Sequence, residues 1–127
     1  MAGPLYIGLE SEGKYTPDFL KWEEDNHYSR EEGVYANAAA TELVLEPGTV
    51  FESEVPGEDI IYDGTGTITG ILFNKVIIPP TSSRPIVKIV RMAVIDKRGL
   101  VLNGVAEATV LAGIASALPT ILVREGA

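Results

Sequence analysis

The feature that most limits the possible folds is a series of short apolar runs, ended by Pro or Gly, that fills the chain from about Ser29 onward. The runs are rich in Val, Ile, Thr and Phe, which favour extended backbone. Glu46-Pro47-Gly48-Thr49 places Pro and Gly at the central positions of a type II turn. Asp63-Gly64-Thr65-Gly66 predicts a second turn. The pattern therefore predicts a mainly β protein.

Two longer runs predict the principal strands, one over Thr67–Ile78 and one over Ile86–Ile95. The second is apolar on both faces, which is typical of a central strand or of a strand at a subunit contact. One helix is predicted from about Gly104 to Leu118, with Asn103 or Gly104 as its cap. The apolar face of this helix, given by three- and four-residue spacing, contains Val110, Leu111, Ile114, Ala115 and Leu118. The opposite face carries Ala, Gly and Thr, so we expect other parts of the protein to cover that face as well.

The first 28 residues show neither the period of a strand nor that of a helix, yet they are rich in large apolar side chains. Disordered tails are usually poor in such side chains. We therefore interpret residues 1–28 as an extended arm that becomes ordered on a partner, and residues 29–127 as the folded β domain. The arm side chains expected to contact that partner are Leu5, Tyr6, Ile7, Leu9, Tyr15, Phe19 and Trp22.

Charge is distributed unevenly along the chain. Residues 1–63 hold 15 acidic and 3 basic residues, whereas residues 64–127 hold 3 acidic and 7 basic ones, for a net charge of −8. Either the two halves interleave and partly neutralise each other, or the asymmetry marks an interaction surface. A net negative chain is poorly suited to binding nucleic-acid phosphates, so we expect no direct nucleic-acid contact.

The residues available for chemistry are few. The chain has no Cys and a single His, His27, which excludes disulfides, thiolate catalysis, Cys-based metal sites and multi-His metal sites. Asp25, His27 and Ser29 lie so close together in the sequence that we do not expect the chain to place a histidine base between a serine nucleophile and an orienting carboxylate, and we expect no catalytic triad there. No apolar run is long enough for a membrane span, and no secretory signal is visible. We expect no catalytic residue, metal or cofactor.

Several segments follow one another in a distinctive order from about His27 to the end of the sequence. They are residues 29–35, 45–51, 69–73 and 85–94, which read SREEGVY, LEPGTVF, TGILF and PIVKIVRMAV. An Ala-rich helix leading into Ile121-Leu122-Val123-Arg124 comes last. In this order of segments, the chain resembles the head decoration, or cementing, proteins of lambda-like tailed bacteriophages.

The resemblance implies a small β-clip or β-tulip domain. It implies a homotrimer that caps local three-fold axes on the outer surface of the expanded head, after synthesis in the host cytoplasm. It also implies that the N-terminal arm adds a strand to the major capsid protein, and that the trimers hold the head together against the pressure of packaged DNA.

A trimer needs a contact between copies, and we expect it near the strand that is apolar on both faces and near the helix. The candidate trimer-contact residues are Ile86, Ile89, Arg91, Val110 and Ile114. Two other functions stay open: a tail or fibre accessory protein, and a dUTPase-like trimeric hydrolase. The hydrolase is disfavoured because residues 123–127 do not form a Gly-rich C-terminal tail.

Overall fold

The computed structural model describes residues 19–25, 27–53 and 59–125, which form ten β-strands and one α-helix. The prediction of a mainly β protein with one helix near the C-terminus is confirmed. The helix α1 (Glu107–Ala117) lies between the last two strands. In chain order the strands are β1 (Leu20–Glu23), β2 (Arg30–Asn37), β3 (Leu43–Leu45), β4 (Val50–Glu52), β5 (Ile60–Ile61), β6 (Ile68–Leu72), β7 (Val76–Ile78), β8 (Ser82–Ile89), β9 (Ala93–Asp96) and β10 (Ile121–Arg124).

The largest sheet is antiparallel and has the strand order β2-β8-β6-β4-β5. Strands β2 and β8 pair along their whole length, from Arg30 opposite Ile89 to Asn37 opposite Ser82. On the side away from β2, β8 pairs with β6 only near its C-terminal end, where Ile71 lies opposite Ile89. Burial along β8 follows this pairing, because the end that has strands on both sides is buried and the other end is exposed.

Two smaller sheets complete the fold. In the three-stranded sheet β1-β9-β10, β9 is central, with β1 antiparallel and β10 parallel to it. This sheet therefore joins the first and the last described segments of the chain. Strands β3 and β7 form a two-stranded ribbon, with Val44 opposite Ile77.

Each of the two long strands predicted from the sequence is divided in the structure. The run Thr67–Ile78 becomes β6 and β7, because β7 leaves the large sheet to pair with β3. The run Ile86–Ile95 becomes β8 and β9, and between them Met92 has a φ of 53°, in the left-handed region that interrupts extended backbone. The run is apolar on both faces because its two strands lie in different sheets, both of which cover the core.

The helix is shorter than predicted and begins later. Asn103 and Gly104 have φ values of 52° and 83°, so they form the turn before the helix rather than its first residues. The N-cap residue is Ala106, whose side chain makes no capping hydrogen bond. Val110, Ile114 and Leu118 are buried as predicted, but Ala115 is exposed with the Ala, Ser and Thr residues of the outer face. Within one chain, the prediction that other elements cover this outer face of the helix is therefore wrong.

Buried side chains form two clusters, one on each side of the large sheet's inner strands. The larger contains residues of α1 and of all three strands of the small sheet, together with Phe19, Val50, Tyr62, Ile68, Ile71 and Ile89. The smaller contains Leu45, Phe51, Leu72, Ile78 and Ile86. The helix approaches β6 closely at Gly113, where an added Cβ would lie 2.7 Å from the Ile68 side chain.

The folded domain begins earlier than the sequence indicated. Phe19 is fully buried in the larger cluster, and Leu20–Glu23 pair with β9. The boundary predicted between residues 28 and 29 therefore has to move to Phe19 or before it. Sequence reasoning missed this strand because only four residues form it and a bulge interrupts their alternation between Leu20 and Trp22.

The predicted turn at Pro47-Gly48 is confirmed. Gly48 has a φ of 95°, and the Thr49 N–H donates to the Glu46 carbonyl oxygen at 3.2 Å. Glycine is required here for a second reason, since a Cβ at this position would lie 2.4 Å from the carbonyl oxygen of Gly99. The turn at Asp63 is also present, with the Thr65 N–H and hydroxyl donating to the Asp63 carboxylate. These hydrogen bonds lower the pKa of Asp63.

A buried ion pair links the segment before β5, an edge strand of the large sheet, to β8, the strand next to the opposite edge. Lys88 Nζ on β8 lies 2.8 Å from Asp59 Oδ1, and both residues are less than a tenth exposed. Asp59 immediately precedes β5, whereas its carboxylate lies against Gly33 of β2, at the opposite edge. In a flat sheet these edge strands would stand about 19 Å apart, four strand spacings. The sheet is therefore curled, and the ion pair lies where its edges approach.

Two glycines make room for this ion pair. A Cβ on Gly33 would lie 2.1 Å from Asp59 Oδ2, and a Cβ on Gly70 of β6 would lie 2.7 Å from Lys88 Cβ. Thr69 adds a hydrogen bond from its hydroxyl to Asp59 Oδ1 at 3.3 Å. The pair also joins the acidic half of the chain to the basic half, so here the two halves neutralise each other inside the fold.

Removing one partner of the pair should destabilise the domain strongly. We expect Lys88→Met to lower the free energy of unfolding by about 3–5 kcal/mol, because Asp59 would remain buried without a compensating charge. The double variant Lys88→Met with Asp59→Leu should recover most of that loss, since no charge is then buried. Denaturant unfolding of the wild type, both single variants and the double variant measures the coupling. A loss below about 1 kcal/mol in Lys88→Met would contradict this account of the fold.

Candidate interaction surfaces

Large apolar side chains that reach the surface are the first guide to partner contacts in a protein without a recognised catalytic centre. In the described part of the chain, six such side chains are more than two-fifths exposed. They are Trp22, Tyr28, Val34, Val44, Ile77 and Leu122. Four of them occur as cross-strand neighbours rather than as isolated residues, and those two groups are the candidate surfaces.

The residues predicted for the N-terminal arm divide into three sets. Leu5, Tyr6, Ile7, Leu9 and Tyr15 lie outside the described residues. Phe19 is fully buried in the protein's own core, so the prediction that its side chain contacts a partner requires correction. Trp22 is 51% exposed on β1, so it is available to a partner, although from a sheet rather than from a free arm.

The predicted trimer-contact residues are mostly inside the protomer. Ile86, Ile89, Val110 and Ile114 have at most 1% of their surface exposed, so a second copy cannot touch their side chains without unfolding this one. The long apolar strand and the apolar helix face that suggested them are explained by the core of the single chain. Arg91 alone is partly exposed.

The first candidate surface is a row of three apolar side chains across the three-stranded sheet, which we call the Trp22 row. Trp22 and Leu122 both lie opposite Val94, one from β1 and the other from β10. Trp22 and Leu122 are 51% and 57% exposed, and Val94 is half-buried between them. Val94 and Leu122 could not be recognised from the sequence, because only the pairing of strands distant in sequence brings them beside Trp22.

The second candidate surface is the Val44–Ile77 pair on the ribbon. The two side chains face each other across β3 and β7 and are 41% and 52% exposed. Their neighbours Leu45 and Ile78 point to the opposite side and are buried. The ribbon therefore covers the smaller core cluster with one face and exposes β-branched side chains on the other.

A polar cleft of about 530 Å³ lies between the end of β8 and the end of α1. Arg91 occupies one wall, where it forms an ion pair with Glu31 at 2.8 Å and stands over the ring of Tyr28, 5.2 Å from its centroid. Pro119 and Thr120 form the opposite wall. Because the Arg91 guanidinium already has a carboxylate and an aromatic partner, its positive charge in this cleft is compensated.

His27 shows no arrangement for catalysis. Its side chain is exposed, and its backbone N–H donates to Asp25 Oδ1 at 2.7 Å. That bond and the one from the Tyr28 N–H lower the pKa of Asp25. Among residues 19–25, 27–53 and 59–125, no three His, Asp or Glu side chains stand close enough to hold a metal ion. Within the same residues, no helix has the length and apolar character to cross a bilayer.

The family comparison gives a clear result. The sequence model of the family described as bacteriophage lambda head decoration protein D matches residues 10–119. This span runs from before β1 through the end of α1, and it leaves Leu5, Tyr6, Ile7 and Leu9 outside it. A search of curated proteins finds no match. Because the match covers most of the chain and nearly all of its folded elements, this protein belongs to the lambda head decoration protein D family, which has a structural role in the phage capsid.

Proposed function

We propose that this protein cements the phage head: it binds as a homotrimer at local three-fold axes on the outer surface of the expanded capsid and stabilises it against DNA pressure. The observation that carries the proposal is the family match over residues 10–119. The major capsid protein is the proposed partner, and the segment before Phe19 is the proposed arm that adds a strand to it. No catalytic step is needed for this role.

The way the arm joins the domain supports the proposal. Phe19 is anchored in the core, and β1, which follows it, is an edge strand of the small sheet. Tension on the preceding residues is therefore transmitted into a hydrogen-bonded sheet rather than into a loose loop. Eighteen residues of extended chain reach about 60 Å, which is enough to contact a neighbouring subunit of the head.

Avidity explains how short arms can hold a head under pressure. Ordering ten residues costs roughly 10–20 kcal/mol of backbone freedom, more than a few apolar side chains return on burial. Strand addition supplies main-chain hydrogen bonds toward that cost. When one arm of a trimer is bound, the other two bind at a high effective concentration. A trimer is therefore the form in which this mode of attachment works.

Because most of the trimer-contact residues predicted from the sequence are buried, exposed side chains have to form the contact between copies. A cyclic trimer uses one interface made of two different patches, so each copy has to present two of them. The Val44–Ile77 pair is exposed and apolar, and the ribbon that carries it is held in place by its other face, which covers the smaller core cluster. We place one of the two patches there.

The alternative of a tail or fibre accessory protein predicts a different location. Both functions would use an arm and a stable β domain. The family match favours the head. Purified protein mixed with expanded heads, unexpanded heads and isolated tails, followed by sedimentation, separates the two functions, and binding to tails alone would overturn the proposal.

Deleting residues 2–18 should abolish or severely weaken attachment to expanded heads while leaving the melting temperature nearly unchanged. The described core begins at Phe19, so this deletion removes none of its side chains. Attachment is measured by sedimentation with heads, and stability by thermal unfolding.

A longer deletion, of residues 2–23, is the matched control. It also removes Phe19 and β1, so it should lower the melting temperature markedly as well as prevent attachment. Loss of a buried Phe alone costs about 3–5 kcal/mol. If the shorter deletion decorated heads as tightly as the full chain, the arm would not be the attachment segment.

Chemical cross-linking on decorated heads should yield trimers, and Ile77→Asp should reduce their yield. The substitution places a charge in an apolar contact, so the dissociation constant of the trimer should rise by about tenfold or more. Val34→Asp, at an equally exposed β position away from the ribbon, serves as the control. A protein that stays monomeric on the head would contradict the trimer, and equal yields from both variants would move the contact elsewhere.

A further inference from the structure

We propose that the Trp22 row is a second attachment surface, onto which an extended apolar segment of the capsid docks beside the arm. This inference rests on the proposed function, because it takes the head as the partner. It adds two residues to the contact, Val94 and Leu122, which lie more than 70 residues along the chain from Trp22. It also gives the C-terminal strand β10 a role in attachment.

The row has the composition of an interface centre. Its three side chains are consecutive across one face of the sheet, with the largest, Trp22, at one edge and Leu122 at the other. Residues beneath the sheet, such as Ala93, Ile95 and Ile121, are buried in the core, which fixes the strands that carry the row. Trp is the residue type most enriched at the energetic centres of interfaces, where rigid support limits the entropy lost on binding.

The surroundings of the row indicate an apolar partner rather than a charged one. Glu24 follows β1 and Arg124 ends β10, so exposed charges of opposite sign stand at the two sides of the row. An apolar centre with a polar rim is the usual arrangement of a specific protein contact.

Continuity with the arm favours the head over other occupants. Trp22 is the seventh residue after Tyr15, a distance of at most about 25 Å along extended chain. Any capsid subunit that holds the arm near Tyr15 therefore stands within reach of the row. Docking on the row would then be an intramolecular step with a high effective concentration. Phe19, three residues before Trp22 in the chain, is buried in the core, so the chain is anchored to the domain close to the row.

Substitutions at both ends of the row test the inference. We expect Trp22→Ser and Leu122→Ser each to weaken attachment of the full chain to expanded heads by about tenfold or more. Val34→Ser, at a similarly exposed apolar strand position outside the row, should change attachment less than twofold. Thermal unfolding of each variant checks that the fold is retained. Wild-type affinity in both row variants would overturn the inference.

Fluorescence gives a readout that does not depend on folding of a weakened variant. Trp22 is the single Trp of the chain, so its emission reports the row directly. Decorating heads should shift that emission to shorter wavelength and reduce its quenching by acrylamide. Heads decorated with Trp22→Phe supply the background from capsid tryptophans. An emission unchanged by decoration would overturn the inference.

Two further outcomes would assign the row to another occupant, and each overturns the inference. If deleting residues 2–18 shifts the Trp22 emission of the free protein to longer wavelength, the row is covered by its own chain. If Trp22→Ser lowers the yield of cross-linked trimer in the absence of heads, the row is a contact between copies. Failure of the wild type to bind heads at all would instead overturn the proposed function.

Discussion

The curl of the large sheet brings a buried aspartate and a buried lysine together, and this ion pair joins the segment before β5 to β8. Lys88 and Asp59 approach within 2.8 Å at a position where Gly33 and Gly70 leave space on both sides. Without a compensating charge, either group would be costly to bury. The segment at Asp59 therefore returns across the sheet to lie against β2 and β8.

The second constraint is the three-stranded sheet that joins the two ends of the described chain. Its central strand β9 receives β1 from one side and β10 from the other, and α1 packs beneath with Val110 and Ile114. In the proposed attachment through the N-terminal segment, force would pass into a sheet that also holds the strand β10. The same pairing leaves Trp22, Val94 and Leu122 side by side on the outer face, which is the surface that we propose for attachment.

Sequence reasoning succeeded where local chemistry decides. The turn at Pro47-Gly48, the mainly β character and the helix face around Val110 all follow from the conformations of a few neighbouring residues. It failed at the strand breaks near Met92 and at the boundary before Phe19, because pairing with distant strands determines both. The buried positions of Ile86 and Ile114 show the same limit, since an apolar face predicts burial without saying whether the core or a partner provides it.

By itself, the sequence determined the class of the fold, the absence of cysteine chemistry and the order of segments that resembles the decoration proteins, because these depend on composition and on short-range pattern. Only the tertiary structure decided which apolar side chains face solvent and which charges meet. Acidic residues of the first half of the chain pair with basic residues of the second half, Asp59 with Lys88 in the interior and Glu31 with Arg91 at the surface. The Trp22 row has the same origin, because its members become neighbours only through hydrogen bonding between strands that are far apart in the chain.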